Sequence, residues 1–217
     1  MNVTLVDSMG TDLSVANAAR VSFAKKNTEF KEPGDRKLIN FLAKHGHWTP
    51  FGHATLSIHI EAPIFVARQL VKHQVGLVWN EVSRRYVDYE PDYWVPEHWR
   101  ARAEDKKQGS AENEYIDWLA RDERTGGRVD KVCQFAIQTY KLMLEKGVCP
   151  EQARMVLPQN VLTEWYWTGS LYAFARICNL RCQPDAQKET RDICWDIDAL
   201  ANVSFPISWE ALRSADI

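Results

Sequence analysis

Hydrophobic and polar residues alternate strictly from Ala54 to Ala62, a pattern that predicts a half-buried β-strand. Leu56, Ile58 and Ile60 face one side of this strand, and the polar residues between them face the other. Other segments are also rich in strand-forming residues. These segments are Val3–Val6, Val82–Val87 and the aromatic run Val161–Thr168.

Between the strands, apolar residues recur at helical spacing. Ser14 and Asp35 are suited to cap two of the predicted helices, and Gly46 and Gly147 are suited to end two of them. The predicted helices cover about 14–24, 35–45, 63–75, 129–146, 150–157, 170–180 and 185–200. The mixture predicts an α/β or α+β fold, in which helices flank a mixed, largely antiparallel sheet.

The length of 217 residues is typical of one domain, and we interpret residues 1–217 in this way. Residues 91–127 differ in composition, because they contain the charged run RARAEDKKQGSAENE. We interpret them as a surface insertion or lid, with a short helix near residues 115–120.

Composition narrows the range of partners. The formal net charge of −2 argues against a nucleic-acid-binding protein, which usually carries a basic excess. No apolar run approaches the ~18 residues that span a bilayer, so no membrane partner is expected. The first ten residues do not resemble a signal peptide. An odd number of cysteines, five, favours free thiols in a reducing compartment, which predicts a cytoplasmic location.

Two clusters invite a metal interpretation, and neither supports it. Cys178 and Cys182 are four residues apart and could share a helix face, but no second pair stands near them in the sequence. Five of the six histidines fall between His45 and His73, without an HExxH motif. We therefore expect no metal site.

The segment from Gln69 to Tyr86, QLVKHQVGLVWNEVSRRY, is dense in reactive side chains. Its cations, hydroxyl, amide and carboxylate suit a phosphate and a heterocycle bound in one place. An exposed charged turn is the alternative interpretation. Arg154 and Arg181 supply further positive charge. Because motifs such as GxGxxG and GxSxG are absent, the residues themselves indicate only a site for an anionic ligand.

Several fragments together resemble the flavin-dependent thymidylate synthases of the ThyX type. They are HWTPFGH, RQLVKHQVGLVWNEVSRRY, ARMVLP, the aromatic strand and NLRCQPDAQKETR, in that order. The resemblance extends from Val3 to Arg191, apart from residues 91–127. The family signature is RHR, seven residues and then serine. Here Lys-His-Gln at 72–74 is followed by eight residues before Ser83, and Val78 stands where the family often has a serine, so we interpret the chain as a subgroup.

This resemblance implies methylation of dUMP to dTMP without a cysteine nucleophile. Methylenetetrahydrofolate would donate the carbon, and NADPH would reduce the FAD that delivers the hydride. Family members are homotetramers whose sites are shared between subunits. The partners implied are thus dUMP, folate, NADPH and further copies of the chain.

The resemblance also implies roles for individual residues. Arg181 would be catalytic, because its permanent charge can stabilise an anionic uracil ring. The residues implied for dUMP are Gln69, Lys72, Glu81, Ser83, Arg84, Arg85, Arg154 and Arg181. Those implied for FAD or folate are His47, Thr49, Lys72, His73, Gln74, Asn80, Glu81, Ser170 and Arg176.

Departures from the family pattern leave two alternatives open. Where the family has Asn and Arg after the aromatic strand, this chain has Ser170 and Tyr172, with Arg176 one turn later. The altered triplet at 72–74 and Val78 motivate the first alternative, a paralogue of the same fold that leaves a hydroxymethyl group or otherwise modifies a pyrimidine deoxynucleotide. A non-catalytic flavin- or nucleotide-binding protein would retain ligand without turnover.

Overall fold

The computed structural model describes residues 1–104, 109–116 and 128–215. Its strands are β1 (Asn2–Met9), β2 (Thr55–Pro63), β3 (Leu77–Glu81), β4 (Arg100–Arg102), β5 (Ser110–Tyr115) and β6 (Leu162–Ser170). Four of them form a sheet in the order β1-β2-β6-β3, and β4 pairs with β5.

The described α-helices follow the predicted succession and add one more after residue 204. They are α1 (Asp12–Arg20), α2 (Gly34–Lys44), α3 (Ile64–Leu70), α4 (Arg128–Glu145), α5 (Pro150–Ala153), α6 (Leu171–Arg181), α7 (Lys188–Ser204) and α8 (Pro206–Ser214). Short 3₁₀ helices span Val21–Phe23, Thr49–His53 and Arg154–Val156.

Strands β2 and β6 run antiparallel. The N–H of Leu171 donates to the carbonyl of Ala54 at 2.8 Å, and the N–H of Ile64 donates to that of Val161 at 2.9 Å. Residue numbers therefore rise along one strand as they fall along the other. The predicted fold class, helices around a largely antiparallel sheet, is confirmed.

The chain divides into two compact units. The first unit comprises Met1, Glu61–Gln69 and Glu81–Trp165, and the second comprises Asn2–Ile60, Leu70–Asn80 and Tyr166–Ile217. Tyr140 and Trp165 are buried in the core of the first unit. In the second, the Trp167 ring lies edge-to-face against the rings of Trp79 and Phe174, with centroids 5.4 Å apart in both pairs.

The single domain with an insertion at 91–127 remains a prediction. Residues 105–108 and 117–127 of that segment lie outside the described residues, and so does most of the short helix predicted near 115–120. The described part of the segment contains the antiparallel pair β4 and β5, and Tyr115 is the last residue of β5.

Three predicted local features are wrong. Asp35 does not cap α2, because the helix begins at Gly34 and the Asp35 carboxylate accepts the N–H of Lys31 at 2.9 Å. Residues 82–87 are not a strand, because the Ser83 carbonyl accepts the N–H groups of Tyr86 and Val87 and closes a turn. The strand lies earlier, at β3. Thr11 rather than Ser14 is the N-cap of α1, and the Ser14 hydroxyl instead accepts the N–H of Thr11 at 3.0 Å.

Helix α8 was not predicted, although Phe205, Trp209 and Leu212 recur at helical spacing and are all buried. Its first N–H groups are satisfied by a side chain from the other end of the chain. The Asp12 carboxylate accepts the N–H of Ile207 at 3.1 Å and that of Ser208 at 2.7 Å. This contact anchors α8 to the beginning of α1.

Candidate functional site

The residues singled out from the sequence fall into two sets, one in each unit. The first unit contains Gln69, Glu81, Ser83, Arg84, Arg85 and Arg154, all of them assigned to the nucleotide. The second contains His47, Thr49, Lys72, His73, Gln74, Asn80, Ser170, Arg176 and Arg181. The set assigned to dUMP alone is thus concentrated in the first unit, except for Arg181.

The turn that begins at Ser83 gives two neighbouring arginines opposite environments. The Ser83 carbonyl accepts the N–H of Tyr86 at 2.9 Å, and its hydroxyl oxygen accepts the N–H of Arg85 at 3.3 Å. Arg84 is only 9% exposed, whereas the Arg85 side chain is 49% exposed. The two guanidinium groups therefore cannot serve the same purpose.

Arg84 is held by its surroundings. Its Nη1 donates to the Tyr89 carbonyl at 2.5 Å, and its guanidinium carbon lies 4.3 Å from the centre of the Tyr89 ring. The cleft beside it, about 180 Å³ in volume, is lined by Glu61, Asp92 and Glu164 among other residues. Carboxylates around this arginine favour a structural role for it over a phosphate contact, and the predicted contact with dUMP stays a prediction.

Arg85 and Arg154 meet at Glu151. The Nε of Arg85 donates to the Glu151 carboxylate at 3.1 Å, and the Nε of Arg154 donates to the Glu151 carbonyl at 3.3 Å. Both arginines are exposed. One guanidinium is bonded to the side chain of Glu151 and the other to its backbone, and exposed guanidinium groups of this kind can bind a divalent anion such as a phosphate. Sequence reasoning missed Glu151, although its position three residues before Arg154 on helix α5 was a usable signal.

Glu81, at the end of β3, is positioned by a neighbouring strand. The hydroxyl of Thr163 on β6 donates to the Glu81 carboxylate at 2.9 Å, and Thr163 itself is buried. This bond fixes the Glu81 carboxylate beside β6 in the first unit. Gln69 lies half-buried in the last turn of α3.

In the second unit, His73 and Arg181 are hydrogen-bonded. The Nε of Arg181 donates to Nε2 of His73 at 3.1 Å, so this ring nitrogen carries no proton. Burial lowers the pKa of His73 below its ordinary value, and the positive charges of Arg181 and Arg176 lower it further. His73 is therefore neutral at physiological pH and holds the guanidinium of Arg181 in one orientation.

The loop after His73 packs tightly against the start of α6. The N–H of Ser170 donates to the Gly76 carbonyl at 3.1 Å, and the Ser170 hydroxyl accepts the N–H of Ala173 as the helix cap. A Cβ on Gly169 would lie 2.6 Å from the Gly76 oxygen, so only glycine fits there. Ser170 thus supports the loop and the helix, and its predicted cofactor contact stays a prediction.

The remaining residues of the second unit offer rings and cations at the surface. The rings of Trp48 and Tyr172 lie 6.0 Å apart, and Trp48 is 53% exposed. Lys72 and Arg176 are exposed cations. A planar ring system that carries a diphosphate, such as the flavin that the resemblance implies, fits this set of donors and aromatic faces.

The other members of this set are also at the surface. The side chains of His47, Thr49, Gln74 and Asn80 are exposed. The His47 ring stacks on that of Phe41, with centroids 5.9 Å apart. Among the described residues, no group of three or more His, Cys, Asp or Glu side chains could hold a metal ion. No helix in that part of the chain is long and apolar enough to cross a membrane.

Comparison with known proteins gives consistent matches over almost the whole chain. The family model described as thymidylate synthase complementing protein matches residues 4–207. A flavin-dependent thymidylate synthase of Thermus thermophilus is 38% identical over 211 residues, which are 97% of this chain and 75% of that protein. One from Kosmotoga olearia is 36% identical over 209 residues, covering 96% and 88% of the two chains.

A solved structure is also similar. It is described as a UMP/dUMP methylase, PolB, from Streptomyces cacaoi, bound with 5-Br dUMP. The TM-score is 0.84 at 27% sequence identity, and the match covers 99% of this chain and 95% of the other.

Proposed function

The chain belongs to the family of flavin-dependent thymidylate synthases, the thymidylate synthase complementing proteins, and on that premise we propose that it methylates dUMP to dTMP. We further propose methylenetetrahydrofolate as the carbon donor and NADPH as the reductant. The observation that carries the proposal is the convergence of Arg85 and Arg154 on Glu151 in the first unit.

That convergence is suited to the phosphate of a nucleotide. In the structure the Glu151 carboxylate accepts a hydrogen bond from Arg85. A phosphate with two negative charges would displace this carboxylate and bind the guanidinium groups of both Arg85 and Arg154. The Ser83 turn, one residue away from Arg84 and two from Arg85, adds a hydroxyl. We therefore assign the phosphate of dUMP to Ser83, Arg85 and Arg154.

Arg181 is proposed as the catalytic residue. Arginine carries a positive guanidinium group, so Arg181 can stabilise negative charge on a pyrimidine ring without transferring a proton. His73 holds this group by accepting its Nε–H, which removes the need to order a flexible side chain during the reaction. The chemistry requires no cysteine nucleophile.

FAD, when bound, supplies the hydride that completes the transferred methyl group. We assign its diphosphate to Lys72 and Arg176, and its ring system to the aromatic faces near Trp48 and His47. His73, Gln74, Thr49, Asn80 and Ser170 are further proposed contacts of flavin or folate. Their exposure on the second unit, apart from half-buried His73 and Ser170, supports this assignment.

We also propose a homotetramer with shared sites. Helix α4 exposes three apolar side chains on one stripe: Val132 is 59% exposed, Phe135 71% and Leu142 52%. Apolar surface of this kind commonly marks an interface. All five cysteines are free thiols, which supports a cytoplasmic location.

The test is a product assay. Purified protein with FAD, NADPH, methylenetetrahydrofolate and dUMP is expected to form dTMP, identified by mass spectrometry, and UMP is assayed in parallel. A hydroxymethyl product would favour the paralogue alternative. Retention of flavin or dUMP, with neither bleaching of the flavin absorbance by NADPH nor any nucleotide product, would favour a binding protein.

Sharing of sites has its own test. Arg181→Ala, expected to be inactive, and Arg85→Ala, expected to be several-fold slower at low dUMP, are mixed, unfolded and refolded together. If one site takes these residues from different subunits, random assembly restores about a quarter of the sites. No recovery in a mixture that refolds to the native size would contradict sharing between these two residues.

A further inference from the structure

The C-terminal end of α6 carries thiols that the proposed reaction does not use. Cys178 and Cys182 lie one helical turn apart, and the N–H of Cys182 donates to the Cys178 carbonyl at 2.9 Å. Cys178 is fully buried, and its Sγ also lies 3.5 Å from the carbonyl of Cys194 on α7. Cys182 is only half-buried, so one thiol of the pair is accessible and the other is not.

The two thiols differ in charge preference. The hydrogen bond from Cys178 lowers the pKa of Cys182, and the positive charge of Arg213 acts in the same direction against burial and Asp198. Burial raises the pKa of Cys178 well above its ordinary value. Arg213 is fixed near the pair, because its Nε donates to Asp198 at 2.6 Å and its Nη1 donates to Asn179.

An accessible thiol that lies one helical turn from a buried thiol is the arrangement of a reactive cysteine beside its resolving partner. We propose that Cys182 and Cys178 form a peroxide-reactive dithiol, in which Cys182 is oxidised first and Cys178 then closes a disulfide within the last turn of α6.

The steps balance with hydrogen peroxide as the oxidant. The Cys182 thiolate attacks one peroxide oxygen; an S–O bond forms, the O–O bond breaks, and hydroxide leaves. Cys178 then loses its proton, and its sulfur attacks the sulfur of the resulting sulfenic acid; an S–S bond forms, the S–O bond breaks, and the departing hydroxide takes up that proton as water. The two thiols lose two electrons, and the peroxide gains them.

Closing the disulfide changes the end of the helix. Residues four apart on a helix have Cβ atoms ~5–6 Å apart, whereas a disulfide needs ~3.8 Å. The last turn must therefore tighten, and Arg181 is the residue next to Cys182 in that turn. We expect oxidation to weaken the bond between Arg181 and His73. Oxidation of the two thiols does not depend on the proposed function. Only the expected effect of that oxidation on dTMP formation rests on the proposed function.

The test treats the purified protein with hydrogen peroxide and maps its peptides by mass spectrometry. Wild type is expected to gain a Cys178–Cys182 linkage, with the loss of two hydrogens, and dithiothreitol should reverse it. Cys178→Ser should stop at a sulfenic acid on Cys182 that dimedone traps. Cys182→Ser should form neither product.

Cys149 provides the matched control, because it is exposed but lies at the start of α5, away from α6 in sequence. If exposure alone governed reactivity, Cys149 would react before Cys182. We expect Cys182 to react several-fold faster. Faster oxidation of Cys149, or a linkage from Cys182 to any cysteine other than Cys178, would overturn the proposal. The wild-type peptide map decides this even if the serine variants do not fold.

A second readout separates this proposal from the proposed function. NMR titration of the His73 ring follows its protonation with no substrate present. In the disulfide form the ring should titrate at a higher pH than in the thiol form, since Arg181 no longer donates to it. An unchanged titration in fully oxidised protein would contradict the coupling to Arg181.

Discussion

Replacing Arg85 with alanine is expected to raise the KM for dUMP while leaving kcat nearly unchanged. A charge-assisted contact with phosphate contributes about 1.5–3 kcal/mol. The wild type gives up its exposed pair with Glu151, 3.1 Å long, to make that contact, which offsets about 0.2–1 kcal/mol. A net loss of about 1–2 kcal/mol corresponds to a KM roughly 5–30-fold higher.

Glu151 supplies the opposite perturbation. Glu151→Gln removes the competing carboxylate, so the KM for dUMP should fall, by at most about 5-fold. In the Arg85→Ala background the same change should have almost no effect, because no guanidinium is left to release. This non-additivity is the signature of competition between carboxylate and phosphate.

The assay measures initial rates of dTMP formation against dUMP concentration, with the other substrates saturating. Arg68→Ala is the matched control, since Arg68 is also exposed in the first unit and bonds only weakly to Gln159, at 3.4 Å. If Arg85→Ala stayed within twofold of wild type, or if Arg68→Ala raised the KM equally, the assignment of the phosphate would be refuted.

Three further predictions follow from the geometry. Arg181→Ala should abolish turnover yet leave flavin absorbance in the purified protein, and near-normal dTMP formation would contradict its catalytic role. The pKa of His73 is lowered in the native state. Turnover should therefore be constant at neutral pH and fall at pH values below the ordinary histidine pKa of 6.5, where Nε2 gains a proton and stops accepting from Arg181. The free energy of unfolding should decrease over the same acid range, since the unfolded chain binds that proton more readily. His73→Gln, which accepts without titrating, should flatten this acid limb in kcat–pH profiles, and an unchanged limb would exclude His73 as its source. Gly169→Ala should lower the free energy of unfolding by about 1–3 kcal/mol, because the new Cβ would lie 2.6 Å from the Gly76 oxygen. Calorimetry should show a lower Tm for this variant and an unchanged Tm for Gly34→Ala, which has open space around it. Equal Tm values for the two variants would refute the packing argument.

The fold could be predicted where one period dominates the local sequence. Leu56, Ile58 and Ile60 are fully buried, as the alternation in β2 required. The strand prediction is wrong at residues 82–87, where Val82, Tyr86 and Val87 favour a strand but the Ser83 carbonyl accepts two nearby N–H groups and closes a turn. A local hydrogen bond of this kind leaves no trace in hydrophobic pattern.

For the candidate site, residue types were predictable and environments were not. Arg84 and Arg85 are identical in type and adjacent in sequence, yet one is buried over Tyr89 and the other is exposed at Glu151. Similarly, nothing in the sequence pairs His73 with Arg181, which is more than a hundred positions away. Such contacts depend on tertiary packing, to which composition and spacing are blind.

Both ends of helix α6 are hydrogen-bonded to the same short segment, residues 73–76. Gly76 accepts the N–H of Ser170 at its beginning, and His73 accepts the Nε–H of Arg181 at its end. The helix has eleven residues, about 16 Å in length, and the three steps from His73 to Gly76 reach at most ~10 Å, so the arginine side chain spans the remainder. A ligand that immobilises residues 73–76 therefore also favours the rotamer in which Arg181 donates to His73. By thermodynamic reciprocity, anything that fixes Arg181 tightens the hold on that ligand by the same factor.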